Sequence, residues 1–529
     1  MTSIHILGEL RASGYRVRSV KDEMRGNLLR AIAAGTPTFT GIHGYERTVI
    51  PAIHNAILSK HDIILLGLRG QAKTRILRSL TALLDEHVPV IDGCEINDSP
   101  YEPTCKRCRR LALEKGEELP IAWLARDARY REKLATPDVT VADLIGDIDP
   151  IKAANQRLTY ADEEVIHYGI IPRTNRGIFA INELPDLAPR IQVALLNILE
   201  ERDLQIRGFP IRIPMDVVLV FSANPEDYTS RGNIITPLKD RIDSQILTHY
   251  PQKVETARRI TDQEAWLDRD GSEAKIEMPV VIRDLVESIA FVARESDLVD
   301  QTSGVSARLT IAAIELLQSN LERRAALTGD QYVYPRLADL SMVLPAITGK
   351  VEMVYEGEQQ GAEVVARKLV GMALGKLFES KFPPIERAGL AQRAERERGR
   401  GYGEIDPDDL DDAFAGRRIK QKKEAHREEP KAPPQDPAYE TITAWFAAGN
   451  RITLSDEQPF AEYFRDLNRV PALRDLARKH ASPSRDEELA FWMELVLEGL
   501  HQALRLSRED LDSTITFQEL MKFNVLRKV

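Results

Sequence analysis

The stretch Asp62-Ile-Ile-Leu-Leu-Gly-Leu-Arg-Gly-Gln-Ala-Lys-Thr74 carries the residue types and spacing that suit a bound polyphosphate. The apolar residues up to Gly67 read as a short buried strand, a glycine-bearing turn follows, and Lys73-Thr74 opens a helical run through Leu84. In that order of parts, glycines let backbone N–H groups curl around phosphate oxygens while the helix N-terminus faces the anion. Lys73 supplies a point charge, and the Thr74 hydroxyl can reach Mg²⁺. The pattern G-x-x-x-x-G-K-[ST] is met at Gly67, Lys73 and Thr74, with Gly70 and Gln71 inside the loop. Ala72 stands where the last glycine usually does. A methyl is tolerable there if Ala72 has helical dihedrals, and on that condition the site counts as intact. The plain alternative is a glycine turn that merely joins a strand to a helix.

A second strand, Ile178-Phe-Ala-Ile-Asn-Glu183, delivers Asn182 and Glu183 at its C-terminal end, where parallel α/β sheets bind ligands. The usual acidic pair at such a place holds Mg²⁺ with Asp and activates water with Glu. Here Asn182 offers an amide without charge, which predicts weaker metal binding or slower turnover. Val217–Phe221 reads as another buried strand and ends in Ser222-Ala-Asn224-Pro. Asn224 either orients water against a terminal phosphate or is a turn residue before proline. Arg241 follows Asp240 and, taken alone, reads as its surface partner. Arg308 lies in the first turn of a helix that starts near Ser303, where a cation opposes the helix dipole; an anionic partner would explain it, and a solvated arginine is the alternative.

All three cysteines, Cys94, Cys105 and Cys108, fall within fifteen positions. A C-x-x-C turn can grip Zn²⁺ from two sides, with Cys94 as a third ligand and His87 or Asp98 as a fourth. A redox-sensitive pair, or three inert small residues, fits the same spacing.

Positioning these groups takes several domains, because 529 residues exceed one ordinary core. Apolar content of 43% and charged content of 29% describe a soluble globular chain, and a net charge of −10 argues against a dominant nucleic-acid or anionic-membrane surface. No run of about 18 apolar residues is present to span a membrane. With no secretory leader and only three cysteines, a cytoplasmic location is expected. Residues 1–45 form an N-terminal segment without assigned chemistry. Residues 46–255 read as the nucleotide-binding α/β domain, opening with a helix at Val49–Leu58, where His54 is a surface or core residue. A strand at Val88–Ile91 precedes an insertion, 92–135, whose part from 109 is charged and helix-forming. A turn-rich element surrounds Gly146, a helix spans Arg190–Arg202, residues 204–213 make a hairpin, and a last strand covers Gln245–Leu247. Residues 256–387 read as helical, 388–436 as a charged flexible linker, and 437–529 as a small helical module with Phe491 and Trp492 in its core.

The matching segments are Gln71-Ala-Lys-Thr74, Leu144-Ile-Gly-Asp-Ile-Asp149, Arg176-Gly-Ile-Phe-Ala-Ile-Asn-Glu183, Ala223-Asn-Pro-Glu226 and Leu238-Lys-Asp-Arg241. Five such segments in this order resemble an AAA+ ATPase, more narrowly the magnesium-chelatase subunit I and MoxR group, over roughly residues 45–320. The resemblance implies a P-loop AAA+ parallel-sheet domain followed by an all-helical lid. It implies ATP and Mg²⁺ as cofactors, with Gly67, Gly70, Gln71, Ala72, Lys73 and Thr74 on the phosphates and Thr74 and Asn182 on the metal. Glu183 would polarise water, Asn224 would act as first sensor and Arg308 as second. Arg241 would be offered to a neighbouring subunit's nucleotide, which implies a ring, commonly a hexamer. The family remodels partner proteins, often ones with a von Willebrand-type domain, and the hairpin at 204–213 would face them. The alternatives are the ATPase subunit of a magnesium chelatase and, from Asn182, a nucleotide-gated scaffold with weak hydrolysis.

Overall fold

In the computed structural model the described residues are 4–159, 162–206, 212–224, 233–271, 274–385, 436–511 and 514–520. They fall into two compact units, Met1–Gln263 with Gln301–Ala307, and Glu264–Asp300 with Arg308–Val529.

The first unit begins with helices α1 (Leu7–Ala12), α2 (Val20–Ala33) and α3 (Val49–Leu58). Strand β1 (Ile63–Leu66) leads through the phosphate loop into α4 (Lys73–Ser79), which tightens to a 3₁₀ turn at Leu80–Leu83. β2 (His87–Ile91), α5 (Lys106–Lys115), β3 (Ile121–Ala125) and β4 (Tyr130–Leu134) follow. Then come α6 (Val141–Leu144), β5 (Gly146–Ile148), α7 (Pro150–Gln156), β6 (Ile166–Tyr168) and β7 (Gly177–Asn182). Helices α8 (Pro189–Ala194) and α9 (Leu196–Glu200) precede β8 (Asp203–Gln205), β9 (Arg212–Pro214), β10 (Val217–Ala223) and β11 (Ser244–Leu247).

Five of these strands form a parallel sheet in the order β11-β1-β10-β7-β4. The apolar runs are continuous because both faces are covered. Ile64, Leu66, Phe179, Ile181, Leu219 and Phe221 enter one core, while Ile63, Leu65, Ile178, Ala180, Val218 and Val220 enter the other. Register places the strand ends together, with Leu66 opposite Ala223 and Phe221 opposite Ile181. The region from 109 to 135, expected to be helix-forming throughout, is helical through the 3₁₀ turn at Gly116–Glu118 and again only in a short 3₁₀ turn at Arg126–Arg129. Of the rest, β3 pairs antiparallel with β2, and β4 joins the edge of the central sheet beside β7. Sheet pairing overrides the helix propensity of Arg131, Glu132, Lys133 and Leu134. The Gly146 turn is the start of an antiparallel pair, β5 with β6. The helix expected over 190–202 is two short helices separated at Leu195. β8 and β9 pair as the hairpin expected at 204–213, whose turn, 207–211, lies outside the described residues. Most of the 388–436 linker and the segment Pro225-Glu226 lie outside them too.

The second unit is mainly helical, with long helices at Val280–Glu295, Arg308–Thr328, Ala362–Lys381 and Asp486–Gln502. A two-stranded pair joins β12 (Lys275–Ile276) to β13 (Tyr332–Val333). The C-terminal stretch is helical as read, and it also carries a three-stranded antiparallel sheet of β14 (Ile452–Ser455), β15 (Leu506–Leu511) and β16 (Thr514–Glu519). It packs on the helix Ala362–Lys381, where Gln502 Nε2 donates to the Gly371 carbonyl at 2.7 Å. Phe491 and Trp492 are buried, as expected of core residues. Among the described residues no helix is long and apolar enough to cross a membrane.

Candidate phosphate-binding site

Gly67 follows β1 at a point where a Cβ would overlap Thr248 Oγ1 and Gln71 Oε1. Gly70 has φ +75°, and a Cβ there would also approach the Ala307 nitrogen to 2.9 Å. Ala72 corrects the sequence expectation: with φ 58° and ψ 17° it is left-handed, not helical. It takes the conformation for which glycine is normally selected, at a cost of about 1–2 kcal/mol for an alanine. The turn still closes, because its carbonyl accepts the first helical bond from Ile76 N at 2.9 Å.

The loop is braced from several sides. Thr248 Oγ1 donates to the Gln71 side chain at 2.6 Å, and the Tyr45 hydroxyl lies 3.0 Å from the Gln71 carbonyl. Burial pushes the Tyr45 hydroxyl pKa up to about 12, so it stays a donor at physiological pH. Arg69 donates to the Ser303 carbonyl and hydroxyl at 3.0 and 2.8 Å, and the Tyr250 hydroxyl donates to the Arg69 carbonyl at 2.8 Å.

Lys73, Asn224 and Glu183 form a chain across three strand ends. The buried Lys73 Nζ donates to the carbonyls of Gly67 and Leu68 and, at 2.5 Å, to Asn224 Oδ1. Asn224 Nδ2 in turn donates to Glu183 Oε2 at 2.9 Å. Glu183 itself has φ 56°, and its N–H donates to Ser222 Oγ at 3.3 Å. Asn182 Oδ1 receives the Ser222 hydroxyl at 3.2 Å and lies 3.4 Å from Thr74 Oγ1. Six sequence-assigned residues therefore meet at one sheet edge. Asn224 does more than end a strand, because it links the lysine to the glutamate.

Arg241 ends the helix Thr236–Arg241. Its partner is Glu200, at 2.6 Å, and not the adjacent Asp240; its Nη1 also donates to the Pro237 carbonyl. Adjacent residues on a helix point apart, whereas α9 brings Glu200 alongside. Arg308 is exposed and begins the helix Arg308–Thr328 of the second unit. His54 bonds Thr38 Oγ1 at 2.8 Å and stacks on Phe39, as a packing residue would. Sequence reasoning missed three supports: Ser222, Thr248 and Tyr45. Ser222 was visible two residues before Asn224, but the other two are brought to the loop only by folding.

The thiols converge as well. One ligand atom each from Cys94, Asp98, Cys105 and Cys108 lies within 4.8 Å of the others. Of the two fourth residues considered, Asp98 joins the cysteines; His87 sits exposed at the start of β2, outside this group. The Asp98 carboxylate is fully buried and accepts from Thr104 Oγ1 at 2.5 Å, Thr104 N at 3.1 Å and Cys105 N at 2.9 Å.

Residues 121–242 match the family model of the AAA domain, dynein-related subfamily. The chain is 26% identical over 234 residues to a magnesium-chelatase subunit ChlI homolog of Methanocaldococcus jannaschii, covering 42% of this chain and 59% of that one. It is also 26% identical over 204 residues to the magnesium-chelatase 67 kDa subunit of Heliobacterium mobile, 37% and 29% of the two chains. These matches span less than two thirds of either relative. A solved structure of the complex between magnesium-chelatase subunits BchI and BchD aligns at 20% identity and a TM-score of 0.32, over 61% of this chain and 98% of the matched chain.

Proposed function

We propose that this chain, which carries an AAA+ domain related to magnesium-chelatase subunits, binds and hydrolyses ATP with Mg²⁺ in a ring and uses the cycle to remodel or activate a partner protein. The observation that carries the proposal is the Lys73–Asn224–Glu183 chain at the C-terminal end of the parallel sheet. The residues fit a magnesium–triphosphate: the Lys73 ammonium stands at the loop between the Leu68 carbonyl and Asn224, and Thr74 Oγ1 and Asn182 Oδ1 converge as oxygen donors. Held by Thr74 and Asn182, Mg²⁺ would neutralise charge on the terminal phosphates.

The chain's own residues divide the remaining work. A phosphate oxygen is a stronger acceptor for Lys73 than the Asn224 amide, so nucleotide arrival frees Asn224 to orient water. Glu183 then takes the proton of the attacking water. Arg241 is 30% exposed and offers its guanidinium to a neighbouring subunit on exchange of Glu200 for phosphate. A finger of this kind is worth about 10³- to 10⁵-fold in rate.

The test is steady-state ATP hydrolysis across protein concentrations for wild type, Glu183→Gln, Arg241→Ala and Asn182→Asp. The proposal expects turnover that rises with concentration, falls by about 10²-fold or more in Glu183→Gln, and falls further in Arg241→Ala. Silence in the wild type at every concentration would refute it. The uncharged Asn182 favours a second reading: if only Asn182→Asp hydrolyses, the chain is a nucleotide-gated scaffold. Two of the relatives are named as magnesium-chelatase subunits, so tetrapyrrole metallation with complementary chelatase subunits is the assay for the more specific alternative. A hexameric ring, a von Willebrand-type partner and a cytoplasmic location belong to the same proposal.

A further inference from the structure

We propose that Cys94, Asp98, Cys105 and Cys108 form a closed, structural Zn²⁺ site that fastens the segment between β2 and β3. Tetrahedral zinc with thiolate bonds near 2.3 Å holds its sulfurs roughly 3.8 Å apart. The four ligand atoms already lie within 4.8 Å of one another, so they need to draw in by only about 1 Å. Three sulfurs and one carboxylate oxygen are a zinc donor set, whereas an iron–sulfur cluster would stand between its ligands and hold them farther apart.

The surroundings are built for anionic ligands. The N–H groups of Asp98 and Cys108 donate to the sulfurs of Cys94 and Cys105, each at 3.3 Å. Cys105 is the N-cap of α5, so its sulfur and that of Cys108 lie at the positive end of a ten-residue helix. Asp98 Oδ2 is engaged by two backbone N–H groups and Oδ1 by the Thr104 hydroxyl, which orients the carboxylate as partners of metal ligands do. The turn that delivers Asp98 has left-handed residues at Gly93 and Asn97. Four ligands fill a tetrahedron and leave no open position, which assigns the site to structure, not catalysis.

The site would tie the 94–98 turn to the start of α5. That helix is itself held by Lys106 to Asp162, Arg109 to Glu163 and Arg110 to Glu164, at 2.7, 3.3 and 2.9 Å. The four anions at one zinc leave a net negative centre, which this basic helix offsets.

The experiment uses the full chain, purified without chelator. Elemental analysis should find about one zinc per chain, and a mercurial reagent should release it as the thiols are titrated. Metal-free, reduced wild type titrated with Co²⁺ should give the intense visible bands of tetrahedral cobalt with thiolate charge transfer, saturating at one equivalent. Asp98→Ala should lower metal content several-fold, and Asp98→Cys should retain it. If cysteine variants fail to fold, the wild-type Co²⁺ titration still decides. Zinc-free protein with no cobalt band would overturn the proposal, as would a stable disulfide among these cysteines in fresh, metal-free protein.

Discussion

Replacing Ala72 by glycine separates the left-handed loop from the helical one expected from sequence. In a helical residue the substitution removes an alanine from its best setting and costs about 1 kcal/mol. At φ 58° and ψ 17° the balance reverses. Glycine relieves about 1–2 kcal/mol of left-handed strain and costs about 0.4–1 kcal/mol through the greater entropy of the unfolded chain. The methyl is exposed, so almost no burial is lost. The net expectation runs from neutral to about 1.6 kcal/mol more stable. Native-state hydrogen exchange read at the amides of β1 and α4 isolates the first unit from the second. Exchange there should be unchanged or slowed. Acceleration of about five-fold, the equivalent of 1 kcal/mol lost, would show that residue 72 is helical and refute the argument.

Two further outcomes follow from buried charge. Burial, opposed by Tyr463, the Leu337 N–H and Arg336 and reinforced by Asp339, pushes the Glu494 pKa from 4.5 up to about 7. A raised folded-state pKa means its stabilisation is complete below pH 4.5 and is lost as pH climbs through 7, by roughly 3 kcal/mol at most. Urea unfolding of the second unit should therefore weaken between pH 5 and 8, and Glu494→Gln should remove most of that slope; an unchanged slope would refute the assignment. In the first unit Arg129 and Glu23 are both buried and joined twice, at 2.7 and 2.6 Å. Glu23→Ala strands the guanidinium and should cost about 3–5 kcal/mol, whereas a thermal or denaturant midpoint close to wild type would mean that water reaches Arg129.

The parts of the site that were legible in sequence are those set by strand ends. β1, β7 and β10 announce themselves because two-sided burial leaves no polar alternation, and the residues that follow must then gather at one edge. Asn182, Glu183 and Asn224 were found that way. What escaped depends on pairs distant in the chain. Tyr130-Arg-Glu-Lys-Leu134 looks helical until β7 offers it an edge, and Glu200 reaches Arg241 only once α9 is placed. His87 and Asp98 both lie within seven residues of Cys94 in sequence, and it takes the turn through Asn97 to choose between them. Ala72 is a different case: its neighbours suggest a helix start, but the bend from Gly70 to Lys73 demands a left-handed residue there.

The short segment Gln301–Ala307 belongs to the first unit although the chain has by then already entered the second. During synthesis the ribosome therefore delivers all five strands of the sheet well before it delivers Ser303, the partner of Arg69. A nascent chain stopped at residue 263 has a sheet and an unfinished loop. The brace arrives only after helix Val280–Glu295 has been made, so the phosphate loop is completed late, and a chain broken off in translation lacks this part of its brace.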